Sequence, residues 1–268
     1  QIQSFEFPLP PFGEQRRIVE LIEEQLSRLD AGVESLQRAR RNLARLRASI
    51  LKAAYDGPWE LRALGYLAAR EPRSITDGPF GSNLKTSHYT TSGPRVVRLQ
   101  NIGDGRFQDD KAHISAEHFA RLQNHAVEAG DVLIASLGTE LPRACIAPDS
   151  LGPAIVKADC IRFRPGPTVE GRFVSHMLNS SPIRRGVSEI IHGVGRPRLN
   201  LREVKAIEIP VPALEEQHQI VAEVERQFSF IDAMATTIDT GLQRANALRQ
   251  SILSQAFRGR LIAFTTST

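Results

Sequence analysis

The chain has 268 residues, of which 41% are hydrophobic and 24% charged, with a formal net charge of +4. That length holds one large domain or two small ones, and the composition excludes a disordered or fibrous chain. No apolar run reaches the roughly 18 residues that a membrane span needs, and Cys145 and Cys160 match no zinc or redox spacing.

In chain order, the opening "SFEFPLPP" alternates apolar and polar residues and then meets prolines, the pattern of a strand leaving a sheet. A helix is predicted from about Glu14 to Leu29, and a longer one from about Gly32 to Tyr55, stopping at Gly57. Apolar residues Leu36, Ala39, Leu43, Leu46, Ile50 and Ala53 step by three and four, which is coiled-coil spacing. The arginines of "LQRARRNLARLR" (Arg38, Arg40, Arg41, Arg45, Arg47) read as a solvated face or as ion-pairing groups.

Residues 58–209 have a different texture. "RVVRLQNI" (95–102), "GDVLIASLG" (130–138) and "DCIRFRPG" (159–166) read as short strands bounded by Gly and Pro, with helical pieces at 116–124 and 169–186 and a last strand at about 205–209. This stretch carries 20 Lys and Arg against 16 Asp and Glu, so it holds the whole net positive charge. Arg184, Arg185, Arg196, Arg198, Arg202 and Lys205 crowd into its end, a basic surface suited to a polyanion.

Past residue 209 the opening phrase returns: "PLPPFGEQRRIV" at 8–19 is matched by "PVPALEEQHQIV" at 210–221. A shift of 202 residues aligns 6–57 with 208–259 without a gap, and 19 of the 52 positions are identical. That is a duplication. The second copy repeats the apolar seam as Ile238, Gly241, Ala245, Leu248 and Ile252. Neither stripe can be buried alone, so the two copies are expected to pack on each other. By the same shift, Gln1–Phe7 is expected to be the last strand of an equivalent preceding domain. The expected fold class is α+β: an exit strand and helical repeat over 1–57, a mixed α/β domain over 58–209, and a second helical repeat over 210–268. The long helices are expected to pair as an antiparallel coiled coil through Leu36, Leu43, Leu46, Ile50, Ile238, Ala245, Leu248 and Ile252.

The doubled strand–Pro-x-Pro–"EQRRIV"–helix unit, ending in "ASILKAAYDG" and again in "SILSQAFRGRL", resembles the conserved regions of type I restriction–modification specificity subunits. The stretch "DGPFGSNLKTSHYTTSGPRVVRLQNIGDGRF" resembles the opening of that family's target recognition domain, and "GDVLIASLGT" and "GVGRPRLNLREVKAIEIPVP" follow in the family's order. The resemblance implies a non-catalytic subunit that reads one half of a split DNA site and docks methyltransferase subunits. S-adenosylmethionine then belongs to that partner, with no cofactor in this chain. Restriction and translocase subunits and a second copy of the chain are the further partners considered; a membrane is not one. The implied setting is the cytoplasm of a bacterium or archaeon, where two unspaced thiols stay reduced. A helix of about 23 residues spans about 34 Å, close to one turn of B-DNA. The rival readings are a helical scaffold that binds only protein, and a specificity module fused to a restriction–modification enzyme.

Motifs for chemistry are absent: there is no GxxxxGK[ST], no GxGxxG after a strand, no HExxH, and Ser136 lacks a GxSxG frame. His113 and His118 read as surface residues, and Asp109 and Asp110 as solvated carboxylates. Candidate DNA-binding residues are forked or amide donors in loops, because bases are read by such groups and phosphates by Lys, Arg, Ser and Thr. They are Ser82, Asn83, Lys85, Ser87 and Tyr89; Arg98, Gln100 and Asn101; Thr139 and Arg143; and Arg196, Arg198 and Asn200 in "HGVGRPRLN". Asn200 has a second reading, as the cap of a helical turn at 201–204. No catalytic residue and no metal ligand is expected.

Overall fold

The computed structural model describes residues 9–191 and 197–258. Two 44-residue helices, α1 (Phe12–Tyr55) and α7 (Leu214–Phe257), have bounds 202 residues apart at both ends, as the duplication requires. Between them run β1 (Leu61–Ala63), α2 (Leu64–Leu67), β2 (Ile75–Asp77), β3 (Tyr89–Val97), β4 (His113–Ile114), α3 (Ala116–Arg121), β5 (Ala126–Val127) and β6 (Val132–Ala135). Then come β7 (Arg143–Ile146), β8 (Ala154–Val156), β9 (Cys160–Phe163), α4 (Gly171–Leu178), α5 (Ser181–Ile190), α6 (Leu201–Ala206) and β10 (Glu208–Pro210). The chain divides into two compact units, one of Ala48–Arg226 and one formed by the helical stretches up to Arg47 and from Gln227.

In the larger unit, β2, β9, β6 and β7 form an antiparallel sheet in that order, and β4, β3, β8 and β5 form a second sheet in which β3 and β8 run parallel. Strand β6 is apolar throughout because both of its faces are covered. Its Val132 and Ile134 join Phe163 from β9 and the helical residues Phe173, Met177, Leu178 and Val204 in one core. Its alternate residues Leu133 and Ala135 pack with Cys145, Val97 and Val156 in a second core between the sheets. Alternation along an extended strand thus feeds two cores from four residues. Each fully buried aliphatic side chain contributes roughly 1.5–3 kcal/mol. The far side of the second sheet holds Val96, Ile114 and Ile155 with Leu84 and Leu122.

Gln217 of α7 ties its helix into this unit. It is 0% exposed, its Nε2 donates to the carbonyls of Pro212 (2.9 Å) and Thr168 (3.1 Å), and its Oε1 accepts from the Glu170 amide (2.8 Å). Glu170 in turn caps α4 by accepting from the Phe173 amide.

In the smaller unit, Arg47 of α1 meets Asp232 of α7 at 2.8 Å, Arg40 meets Asp239 at 3.3 Å, and Asp30 meets Arg249. Numbers on one helix fall as those on the other rise, so the two stretches run antiparallel. Leu36 packs over Gly241, and Ile252 and Ala256 pack with Ile18, Ile22, Leu26 and Leu29.

Several expectations are corrected here. Each repeat forms one helix rather than two, since Gly32 is an interior helical residue and its cost of about 1 kcal/mol is too small to break a helix that no proline interrupts. The 34 Å reckoned from a 23-residue segment therefore counts only part of α1. Leu43, Ile238, Ala245 and Ile252 are buried and Leu36 and Ile50 half-buried, but Leu46 is 47% and Leu248 52% exposed. Their neighbours Arg47 and Arg249 make the cross-helix contacts instead, to Asp232 and Asp30, because a helix of 3.6 residues per turn drifts off a strict 3.5 repeat. Arg47 lays its guanidinium 4.0 Å from the Phe228 ring centre, so its stem and plane stand in for the leucine.

The strand expected at 95–102 ends at Val97, and Leu99–Asn101 is a single 3-10 turn. The helical stretch at 169–186 is two helices, α4 and α5. Asn179 closes the first by donating to the Ser175 carbonyl, and Pro182 sits in the first turn of the second. The last strand is Glu208–Pro210, and "LREVKA" before it is helical. The strand expected at Gln1–Phe7 lies outside the described residues.

Candidate nucleic-acid interface

One end of the β2–β9–β6–β7 sheet gathers four connections. Strands β2 and β6 end there, at Asp77 and Ala135, while β9 and β7 begin there, at Cys160 and Arg143; Asp77 pairs with Ile161, and Ala135 with both Cys160 and Arg143. The loop after β2 comes close to the turn before β9: a side chain at Gly78 would place its Cβ 2.1 Å from the Lys157 carbonyl carbon, so only glycine fits. The loop after β6 is tied to residues 197–199, since the Gly138 amide donates to the Pro197 carbonyl (3.2 Å) and the Leu199 amide to the Ser136 carbonyl (2.8 Å). Ser136 also donates twice to the Asp159 carbonyl, from its amide (2.9 Å) and its hydroxyl (3.0 Å).

Arg198 stands at the junction. Its guanidinium carbon lies 5.1 Å from the Phe80 ring centre, and its Nη2 lies 2.9 Å from Asp159 Oδ1. Arg143 is half-buried beside the same loop, its Nε buried without a hydrogen-bond partner among the described residues. Lys157 lies 5.9 Å from the Tyr89 ring centre. Ser82, Asn83, Lys85, Ser87 and Thr139 are exposed, and the loop that carries the first four is pinned by two histidines. His118 Nε2 bonds the Asn83 carbonyl (2.8 Å), and His88 Nδ1 accepts from the Lys85 amide (3.1 Å).

Other candidates are committed elsewhere. Asn101 is 0% exposed: its Oδ1 accepts from the Arg98 amide, and its Nδ2 donates to the carbonyls of Gln108 and Asp110. Its amide is saturated and cannot reach a base. Arg98 and Gln100, expected on one strand face, instead stand before and within a 3-10 turn and bind Asp110 at 3.1 and 2.9 Å. Asn200 is the helix cap, its Oδ1 accepting from the Glu203 amide (2.9 Å) while Glu203 accepts from the Asn200 amide (2.8 Å). Arg196 lies outside the described residues.

A family description, type I restriction modification DNA specificity domain, matches residues 103–243, which is 141 of the 268 residues. The chain belongs to this family. The specificity subunit of the Escherichia coli type I restriction enzyme EcoBI is 26% identical to it over 98% of this chain and 60% of its own length. That of the StySPI enzyme of Salmonella potsdam is 25% identical over 96% of this chain and 58% of its own. The chain thus spans about three fifths of the curated relatives it matches. Among solved structures, a chain from work on the assembly and conformational transition of the type I restriction–modification system superposes with a TM-score of 0.75 over 95% of this chain and 61% of its own, at 22% identity. The HsdS subunit from Thermoanaerobacter tengcongensis gives 0.57 over 95% and 60%, also at 22% identity. Both show the fold.

Two expectations about this specificity domain's other polar residues change. His118 is buried, not a surface residue, and its ring bonds the Asn83 carbonyl. Asp109 and Asp110 are partnered rather than merely solvated. Asp109 accepts from Arg95 at 2.7 Å, a bond that holds its carboxyl below the usual value. Ser136 is 2% exposed and serves the Asp159 turn. Among the described residues no group of histidines, cysteines and carboxylates could hold a metal, and no helix is long and apolar enough to cross a membrane. Both cysteines are buried and free; burial pushes the Cys145 thiol up to about 12, and Cys160 higher still.

Three residues of the specificity domain's loop cluster escaped sequence reasoning: Phe80, Lys157 and Asp159. Phe80 stood in the quoted "DGPFGSN" as an aromatic after Pro in a polar loop, a legible sign of an exposed contact residue. Nothing local marks Asp159, whose φ of 69° and role opposite Arg198 depend on segments about 20 and 40 residues distant.

Proposed function

We propose that the Ala48–Arg226 unit reads one half of a bipartite duplex-DNA site through the loop cluster at the end of the β2–β9–β6–β7 sheet. The observation that carries this reading is the meeting there of Phe80, Asp159 and Arg198 with the connections that hold Thr139, Arg143 and Lys157; Asn83 and Lys85 lie further along the connection that leaves β2. Amide, hydroxyl, ammonium and guanidinium donors come from four separate connections, and among the described residues Asp159 is the carboxylate paired with Arg198. Lys85, Lys157, Ser82, Ser87 and Thr139 suit phosphates, and the forked and amide donors suit base edges.

The smaller unit pairs its two helices as an antiparallel coiled coil through Leu36, Leu43, Ile238, Ala245 and Ile252, and this rod docks methyltransferase subunits that carry S-adenosylmethionine. The cross-helix ion pairs support that arrangement. Arg47–Asp232 and Asp30–Arg249 are the same two residues of each repeat, 202 positions apart, so the contact is two-fold in kind. The subunit itself performs no chemistry in this reading.

The test is affinity for duplex DNA across a salt series, followed by methylation mapping with the cognate methyltransferase. For a DNA reader the logarithm of the binding constant falls linearly with log[salt], with a slope of about −0.9 per phosphate contacted. Binding that does not respond to salt, together with methylation at no defined sequence, would leave the protein scaffold as the correct reading.

A further inference from the structure

We propose that Arg198 is a specificity-determining residue that reads a guanine, with Phe80 and Asp159 as the positioning residues that aim it; this rests on the DNA-reading role assigned above. A guanidinium discriminates guanine when its planar fork meets the O6 and N7 acceptors together, which demands that the plane be held in advance. Here the Phe80 ring lies beneath the guanidinium, its centre 5.1 Å from the guanidinium carbon, limiting the swing of a side chain that is otherwise half-exposed. Asp159 fixes one corner of the fork, its Oδ1 2.9 Å from Arg198 Nη2, and no other carboxylate pairs with this guanidinium among the described residues.

The backbone beneath is equally determined. Arg198 bridges to Leu137, and its neighbours on both sides are hydrogen-bonded to the β6–β7 loop. Asp159 occupies the left-handed region, a conformation that strains a non-glycine residue, and two bonds from Ser136 to its carbonyl retain it there. A glycine or asparagine would sit in that turn at less cost, but only an acidic residue places negative charge beside the guanidinium.

A structural arginine in the same unit looks different. Arg164 is mostly buried, and its fork is filled by both oxygens of Asp131, with Glu71 and Glu128 on the remaining donors. Among the described residues Arg198 has one carboxylate and an aromatic support, and about half of its side chain is exposed. That is the arrangement of a group presented to something outside the chain.

Selection of a duplex pool with a randomised central stretch by the full chain, read by sequencing, tests this. The wild type is expected to enrich a motif. Arg198→Lys keeps the charge but loses the fork, so it should enrich the same motif except at one guanine, where preference falls about tenfold or more. Asp159→Asn and Phe80→Leu should weaken the same position by less, and Asp159→Asn carries this arm alone should the Phe80 variant fail to fold. If the Arg198→Lys motif is unchanged, or the position it relaxes is not guanine, Arg198 does not read the base, although the DNA-reading role survives. If the wild type itself enriches nothing, the DNA-reading role fails and this proposal with it.

Discussion

Gln217→Ala is expected to be among the most damaging single polar substitutions in this chain. The side chain is fully buried and makes three hydrogen bonds, so its removal strands the Glu170 amide and leaves the Pro212 and Thr168 carbonyls one bond short. A stranded buried donor or acceptor costs about 1–3 kcal/mol; with the carbonyls less affected than the amide, the loss should be about 3 kcal/mol. For a cooperative unit of this size that is a fall of about 6–12 °C in melting temperature. The internal control lies 202 residues earlier. Gln15 is the same residue of the first repeat and donates to the Pro10 carbonyl at 2.7 Å, matching the Gln217–Pro212 bond, but it is only half-buried and its side chain makes no other hydrogen bond among the described residues. Gln15→Ala should cost no more than about 1 kcal/mol. Urea melts followed by circular dichroism, with m unchanged, compare the two. Equal losses from both variants would refute the claim that tertiary anchoring, rather than the local helix start, gives Gln217 its importance.

Leu43→Asp should destabilise the helical unit by about 3 kcal/mol or more, since it buries a carboxylate at the inner face, while Leu248→Asp should change stability by less than about 0.5 kcal/mol; thermal melts distinguish the two. Asp109 titrates below its ordinary value of 3.8 because Arg95 hydrogen-bonds its ionised form. A depressed carboxylate contributes stability that is fully present above the unfolded value and is lost as pH falls through the folded one. Wild type and Asp109→Asn should therefore differ at pH 6 and converge in strong acid, which pH-dependent denaturation reads. Cys145 and Cys160 should resist a thiol reagent at pH 8 in the native protein and react fully in denaturant, because burial holds both thiols protonated; rapid native labelling would contradict their placement in the core between the sheets.

Much of the fold is legible in residue order. The 202-residue duplication dictates two helices with matching bounds, and the apolar run "VLIA" dictates a strand covered on both faces. Local signals mislead where a residue type serves two purposes. Asn101 and Asn200 have the chemistry of base readers, yet one closes a loop and the other caps a helix, because each has a backbone amide in reach within three residues. Leu46 and Leu248 satisfy a heptad, yet Arg47 and Arg249 make the cross-helix contacts, because 3.6 residues per turn carries a long helix off that repeat.

Val19 and Val221 mark the boundary between the two kinds of information. They are the same residue of the same repeat, on helices of the same length, and sequence alone determines that both are helical. Val221 is 7% exposed, packed into the core of the larger unit, and Val19 is 50% exposed. Backbone conformation follows from neighbours a few residues away, so identical sequences fold alike. Burial follows from whatever surface arrives from elsewhere in the chain. The same dependence on distant segments brings Phe80, Asp159 and Arg198 together at one end of a sheet.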